Sequence, residues 1–440
     1  MTAAAPAETP AGWLGRVAGR FVRMQPHERR AALLAFACNF VLLGSYYILR
    51  PVRDTMATVF GAGDLQYLFT GTFIGTLIAS PAWAALAARL TLRRLLPGVF
   101  WFWFANVLLF EVLLRIAPGS RIVGGAYYIW FSVVNLFMIS VFWSLMSDLF
   151  TAPQATRLYP FIAAGGSTGA VAGPAVTRFA VRAVGLSGLL LVAAAGFLVV
   201  IALVHVLMRE KERLRSTGEA QDSRLDHGLA GGPFAGFGEL LRSPYSRRQA
   251  GFMLLTTWVN TVAYFLQTDV IARAFTGVAA RAVAIADISL VVNVGAVLVL
   301  VLGMGRYLHR FGVTASLLAS PVITVAAFIG LALSPTVLMI QALQVVQQVS
   351  RFAIARPSRE ICFTVVPQKD RYRSKNVIDT VVYRFGDLSA AWMQAGLRAL
   401  GAGIYGSSIA GVGCCTLWGL VALMLGRRYE QLRARPAAAG

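Results

Sequence analysis

Gly185-Leu-Ser-Gly-Leu-Leu-Leu-Val-Ala-Ala-Ala-Gly-Phe-Leu-Val-Val-Ile-Ala-Leu-Val-His-Val-Leu-Met208 runs directly into Arg209-Glu-Lys-Glu-Arg-Leu-Arg215. The first stretch holds no Asp, Glu, Lys or Arg. A helix needs ~20 such residues to cross the hydrocarbon core of a bilayer. The charged run that follows cannot enter that core cheaply. The segment therefore reads as a membrane-crossing helix that meets a polar loop, 209–248, of mixed charge and then Gly- and Asp-containing linker composition.

The same pattern recurs on both sides of that loop. Before it lie apolar runs at 31–49, 65–88, 95–116, 123–147, 158–181 and 185–208. After it lie runs at 249–271, 281–304, 311–333, 336–362, 376–397 and 403–426. Six runs on each side of a central loop predict an all-α membrane protein with twelve transmembrane helices. The arrangement expected is the major-facilitator fold of two repeated six-helix halves. The domains expected are a tail (1–30), a first half (31–208), the loop (209–248), a second half (249–426) and a second tail (427–440). A faint internal echo fits this. Arg89-Leu-Thr-Leu-Arg93-Arg94 follows the second run, and Gly303-Met-Gly-Arg306-Tyr-Leu-His-Arg310-Phe-Gly312 follows the eighth. Within the first tail, Trp13, Leu14, Val17 and Phe21 share a helical face opposite Arg16, Arg20 and Arg23, which predicts a helix lying in the interface.

The totals agree. Of 440 residues 57% are hydrophobic and only 13% charged, where a soluble domain carries about 25% charged residues. The formal charge of +21 does not indicate nucleic acid, because the basic residues form short clusters between apolar runs. On alternate sides of the membrane they divide 27 to 9, with four inside runs. The positive-inside rule then places both termini in the cytoplasm of a bacterial inner membrane. No secretory signal is read, since about thirty residues, several of them Arg, precede the first run. Cys38, Cys362, Cys414 and Cys415 show no CxxC spacing, and the four histidines are scattered. Neither a metal nor a cofactor is expected. No HExxH or Walker motif is present, so an enzyme is not expected.

Ionisable groups inside spans are costly and mark candidate sites. In the first run Tyr46, Arg50 and Arg53 share a face, Arg50 and Asp54 are spaced to pair, and Pro51 should bend the helix end. In the tenth, Gln341, Gln344, Gln348 and Arg351 form one polar stripe that must face protein or a water path. Pro357 should break that helix. The eleventh carries Asp379, Tyr383, Arg384 and Asp387. The seventh carries Asn260, Tyr264 and Gln267 on one face, near Asp269. Ser140, Ser144 and Ser147 share a face of the fourth run, and Asp287 and Asn293 lie in the eighth. Gly165, Gly169 and Gly173 recur at four-residue spacing in the fifth, a close-packing signature. Glu111, Asp148 and Asp287 are the candidate proton-coupling groups.

Three stretches together resemble one family. They are Ile48-Leu-Arg-Pro-Val-Arg-Asp54, Phe142-Trp-Ser-Leu-Met-Ser-Asp148 continuing to Arg157-Leu-Tyr-Pro-Phe-Ile-Ala-Ala-Gly-Gly166, and Arg359-Glu-Ile-Cys-Phe363 followed by Lys375-Asn-Val-Ile-Asp379. Their order and spacing are similar to the ATP/ADP translocase (nucleotide exchanger) family, and closer still to its relatives in free-living bacteria. The resemblance implies a twelve-helix transporter that exchanges nucleotides without hydrolysis. It sets Arg53 where those exchangers carry Lys, with Glu360 and Asp379 matching the pattern. One position departs: this chain has Gly386-Asp387-Leu388 where the exchangers have Gly-Lys-Ser.

The reading that results is a secondary transporter working by alternating access, with a central cavity between the halves. Its substrate is expected to be an organic anion, such as a nucleotide or phosphorylated metabolite. The cavity residues expected are Tyr46, Arg50, Arg53, Asn260, Gln267, Gln348, Arg351, Asp379, Arg384 and Asp387. The expected partners are the small-molecule substrate and the lipid bilayer, with the chain acting as a monomer. The alternatives are a proton-coupled carrier or efflux pump for another solute and, from a different class, a non-transporting membrane scaffold.

Overall fold

The computed structural model describes residues 24–61, 63–89, 92–216, 237–366 and 374–434. Nearly all of the interfacial helix expected at 11–24, and the middle of the central loop, lie outside the described residues. Lipid offers no partner for backbone N–H and C=O groups, so an apolar run must satisfy them within itself. Accordingly, the regular structure among the described residues is helical throughout.

Helices α1 (Arg29–Phe60), α2 (Leu65–Arg89), α3 (Leu92–Ile116) and α4 (Arg121–Leu149) come first. The stretch Ala152–Ser216 follows as α5 and α6. The break between them is Gly185, whose φ of 70° and ψ of −176° belong to a region open essentially to glycine alone. A short helix, Phe237–Arg242, precedes α7 (Pro244–Ala274). Helices α8 and α9 cover 278–333 and part at Gly312, with φ 80° and ψ 179°. Helix α10 covers 337–365, α11 covers 374–399 and α12 is Ile404–Ala434. Each apolar run read from the sequence falls on one of these helices. Seven helical stretches are long and apolar enough to cross a membrane. Two of them, Pro153–Arg213 and Val278–Leu333, have 61 and 56 residues, more than twice a bilayer's need. They are the two that glycine breaks.

Three sequence expectations need correction. Helix α6 does not stop where its charges begin but continues to Ser216. Those charges find partners on neighbouring helix ends. Lys211 pairs with Asp148 in a buried contact, Arg30 lies 3.5 Å from Glu210, and Arg93 lies 3.0 Å from Glu212. Pro357 does not break α10. A π-helical turn, Arg351–Ala355, sits just before it and the helix resumes as Arg356–Cys362. The Arg356 N–H closes the wider turn on the Arg351 carbonyl, and Pro357 falls in the first turn of the resumed helix, where a missing N–H is tolerated. Arg50 and Asp54 do not pair, because each has a nearer partner described below.

Packing follows the small residues. A Cβ on Gly169 would stand 2.2 Å from the Phe40 carbonyl oxygen. One on Gly165 would stand 2.5 Å from that of Phe36, and one on Gly173 2.6 Å from that of Gly44. The glycine spacing is thus the bed on which α1 lies against α5. The buried apolar side chains form two main clusters, one from residues 31–207 with Ala282, the other from 245–429. Between these two cores runs a polar seam.

Candidate substrate-binding site

The seam is built where α1 and α4 of the first half meet α7, α10 and α11 of the second. Arg53 donates from Nε (2.9 Å) and Nη2 (2.6 Å) to Oδ1 of Asp54. Tyr264 of α7 donates to the same oxygen at 3.1 Å. The Arg53 guanidinium also lies over the Tyr128 and Phe131 rings, at 5.3 and 5.7 Å. Tyr46 stacks on Phe131 at 5.1 Å and packs edge-on against Tyr47. Across the seam Arg384 donates to Asp387 at 3.3 Å and to the Ser132 carbonyl of α4 at 2.8 Å. Thr261 donates to Asp387 at 3.2 Å. Both carboxylates are therefore spent on neighbouring guanidinium and hydroxyl groups.

Two arginines are left. Arg50 donates to Gln348 Oε1 at 3.2 Å, and Gln348 donates to Gln344 Oε1 at 2.9 Å. Arg351 lies over the Phe352 ring at 4.5 Å. Its Nε is buried without a partner, as are the Gln344 Nε2 and both amide atoms of Gln347. Among the described residues neither Arg50 nor Arg351 makes an ion pair. Four arginines face two aspartates, so the seam carries a net charge of two positive units.

The predicted residues divide. Tyr46, Arg50, Arg53, Gln348, Arg351, Arg384 and Asp387 come together here. Asn260 is half-buried one turn from Tyr264 on α7, and Gln267 is buried further along the same helix. Asp379 is set apart. It pairs with Arg359 at 2.7 Å, beside a Lys375–Glu360 pair at 2.5 Å, nearer the chain-end side of the bundle. Glu111 pairs with Arg115, Asp148 with Lys211, and Asp287 with Arg178 of the other half. Sequence reading missed Thr261, Phe352 and the Ser132 carbonyl. Thr261 adjoins the polar face of α7 and could have been noticed. An apolar ring and a backbone carbonyl carry no such signal.

Below the seam, toward the side that holds both chain ends, lies a cavity of about 290 Å³. Its walls come from α1, α4, α5, α8 and α10 and include Tyr47, Phe142, Trp143 and Phe352. Arg50 lies 5.7 Å from the Tyr47 ring and Arg351 4.5 Å from the Phe352 ring, so both guanidiniums adjoin side chains of its wall. On the far side the halves are drawn together. Arg178 of α5 meets Asp287 of α8, Trp392 donates to Thr70 at 3.1 Å, and Arg281 donates to the carbonyls of Phe275, Ala272 and Thr58. An apolar plug of Ala57, Leu65, Phe69, Tyr128, Phe265 and Ala391 fills the space between.

Two helical halves closed on one face and hollow on the other, with a polar seam at mid-depth, define a multi-pass membrane protein of the major-facilitator fold. Solved structures agree. The chain resembles a bacterial homologue of the human lysosomal transporter Spinster, captured inward-facing and unoccupied, with a TM-score of 0.61 and 15% identity over 94% of this chain and 100% of that one. It resembles a bacterial homologue of the iron transporter ferroportin in an inward-facing state, with a TM-score of 0.60 and 12% identity over 92% and 99% of the two chains. It also resembles the nucleoside transporter NupG, with a TM-score of 0.55 and 13% identity over 94% and 100%. No protein-family model matches the chain, and no curated protein matches its sequence.

Proposed function

We propose that the protein is a secondary transporter that carries a small organic anion by alternating access. The halves 31–208 and 249–426 rock about the seam, joined by the 209–248 loop, in a bacterial inner membrane with both termini cytoplasmic. The observation that carries this reading is the pair Arg50 and Arg351, which have no acidic partner among the described residues. A guanidinium donates parallel hydrogen bonds that match carboxylate and phosphate oxygens. An uncompensated charge in a buried seam is costly, and an anionic substrate supplies the missing counter-charge. The two surplus charges suit a substrate with one or two negative charges. A nucleoside triphosphate is a poorer match. The resemblance to nucleotide exchangers breaks where their lysine is replaced by Asp387, and that aspartate holds Arg384 instead of a phosphate.

Alternating access needs contacts that exist in one state only. The ion pair Arg178–Asp287 and the Tyr264–Asp54 hydrogen bond join the halves and are suited to break when the far side opens. The test is uptake into proteoliposomes of purified protein, wild type beside Arg351→Gln and Arg53→Gln. Loss of anion transport in both variants, with monodisperse folded protein, is the expected result. Preserved transport of a neutral or cationic solute in both would overturn the reading.

A further inference from the structure

The cavity beneath the arginines narrows the substrate further, on the premise that the anion-carrier reading above holds. We propose that the substrate is a compact aromatic acid bearing a hydrogen-bonding group on its ring, such as an N–H. Its acid group meets Arg50 and Arg351, and its ring lies among Tyr47, Phe142, Trp143 and Phe352.

Three observations converge on this. First, the two arginines adjoin the aromatic walls. Arg50 and Arg351 lie 5.7 and 4.5 Å from the Tyr47 and Phe352 rings, and both rings line the cavity. A ligand whose anionic group reaches the guanidiniums must set its body against those rings, and flat bodies pack on rings by offset stacking or edge contacts. Second, no charged side chain lines the cavity itself. A second phosphate or carboxylate placed there would lose hydration without gaining a cation. Third, two buried asparagines line the wall and are each anchored to backbone by a single amide N–H. Asn39 donates its amide N–H to the Ile162 carbonyl at 2.9 Å, and Asn293 donates its own to the Ala170 carbonyl at 2.6 Å. Both target carbonyls belong to α5, eight residues apart, so the two amides grip one face of that helix from opposite halves. Each amide carries two N–H groups and one carbonyl oxygen, and only one N–H is committed to backbone, so each asparagine keeps one acceptor and one donor. An amide edge on a largely apolar wall selects a ligand with a complementary polar ring group, and a site built for such a hydrogen bond discriminates strongly against analogues lacking it. The volume of about 290 Å³ sits at the small end of ligand pockets, which run from ~300 to ~1,000 Å³. One ring system with a short acid arm suits that space better than a nucleotide or a long acyl chain.

The experiment is isothermal titration of the purified full-length protein in detergent with five probes: indole-3-carboxylate, indole-3-carboxamide, acetate, hexanoate and AMP. The expected result is that indole-3-carboxylate binds at least tenfold more tightly than the other four. It should lose at least tenfold in Asn293→Leu and Phe352→Leu, each of which leaves both arginines in place. Tighter binding of AMP or hexanoate, abolished by Arg351→Gln, would overturn the aromatic acid and leave the anion carrier standing. Equal binding of indole-3-carboxamide and indole-3-carboxylate to wild type would overturn the anion reading itself, and that comparison needs no variant to fold. Absence of binding by every probe also overturns the proposal.

Discussion

Asp54→Asn separates the two roles of the seam's charges, holding the fold and holding an anion. Asp54 accepts three hydrogen bonds on one oxygen: two from Arg53, at 2.9 and 2.6 Å, and one from Tyr264, at 3.1 Å. Asparagine keeps the shape and one carbonyl acceptor but removes the charge. A hydrogen bond to a charged group contributes ~1.5–3 kcal/mol, and removing one partner of a buried pair costs ~3–5 kcal/mol. Because an acceptor survives, a loss of about 2 kcal/mol in the ligand-free protein is expected. The same change raises the seam's net charge from two to three. Arg50 and Arg53 lie one helical turn apart. Across roughly 8 Å at an effective dielectric constant of about 20, one unit charge acts on another with ~2 kcal/mol. Water in the cavity reduces this to about 1 kcal/mol, or roughly fivefold in affinity. Asp54→Asn should therefore melt earlier when empty and yet bind a small anion such as benzoate about fivefold more tightly, with the gain shrinking as salt is raised. Thermal melts with and without benzoate, at two ionic strengths, read both effects. Weaker benzoate binding by a folded Asp54→Asn protein would refute the electrostatic account of the seam.

Other perturbations test the frame around the site. Gly169→Val places a side chain on the Phe40 carbonyl, where even a Cβ would stand 2.2 Å away; overpacking costs ~1–3 kcal/mol where neighbours can yield, and a helix backbone yields least, so aggregation on size exclusion is expected and a wild-type profile would count against the α1–α5 contact. Lys211→Met strands Asp148 at a buried position, with a stability loss of ~3–5 kcal/mol; adding Asp148→Leu should recover most of it, and a double variant no better than the single one would show the pair is not what holds α4 to α6. Reporter fusions after Gly440 should give a cytoplasmic signal, and a periplasmic one would reverse the sidedness read from the basic clusters.

Much of this protein is local and therefore legible in one dimension. The length of each apolar run, the polar 209–248 stretch and the glycine spacing of α5 depend on short-range periodicity and on the absence of hydrogen-bond partners in lipid. The polar stripe of α10 was visible for the same reason, and Gln348 and Arg351 do face the seam. Partner choice was not legible. Arg50 had Asp54 one turn away, yet it donates to Gln348, 298 residues distant in sequence. Arg53 took Asp54 instead. Asp379, grouped with the cavity by its position in an apolar run, belongs with Arg359 toward the chain ends. The π turn before Pro357 likewise has no signature in residue order. Charged side chains within a few ångströms of several alternatives are assigned by which helices meet, at what depth and in what rotation. Those are properties of the packed bundle, so the composition of the seam could be read from the sequence, while which of its arginines stand without an acid was decided only by the tertiary structure.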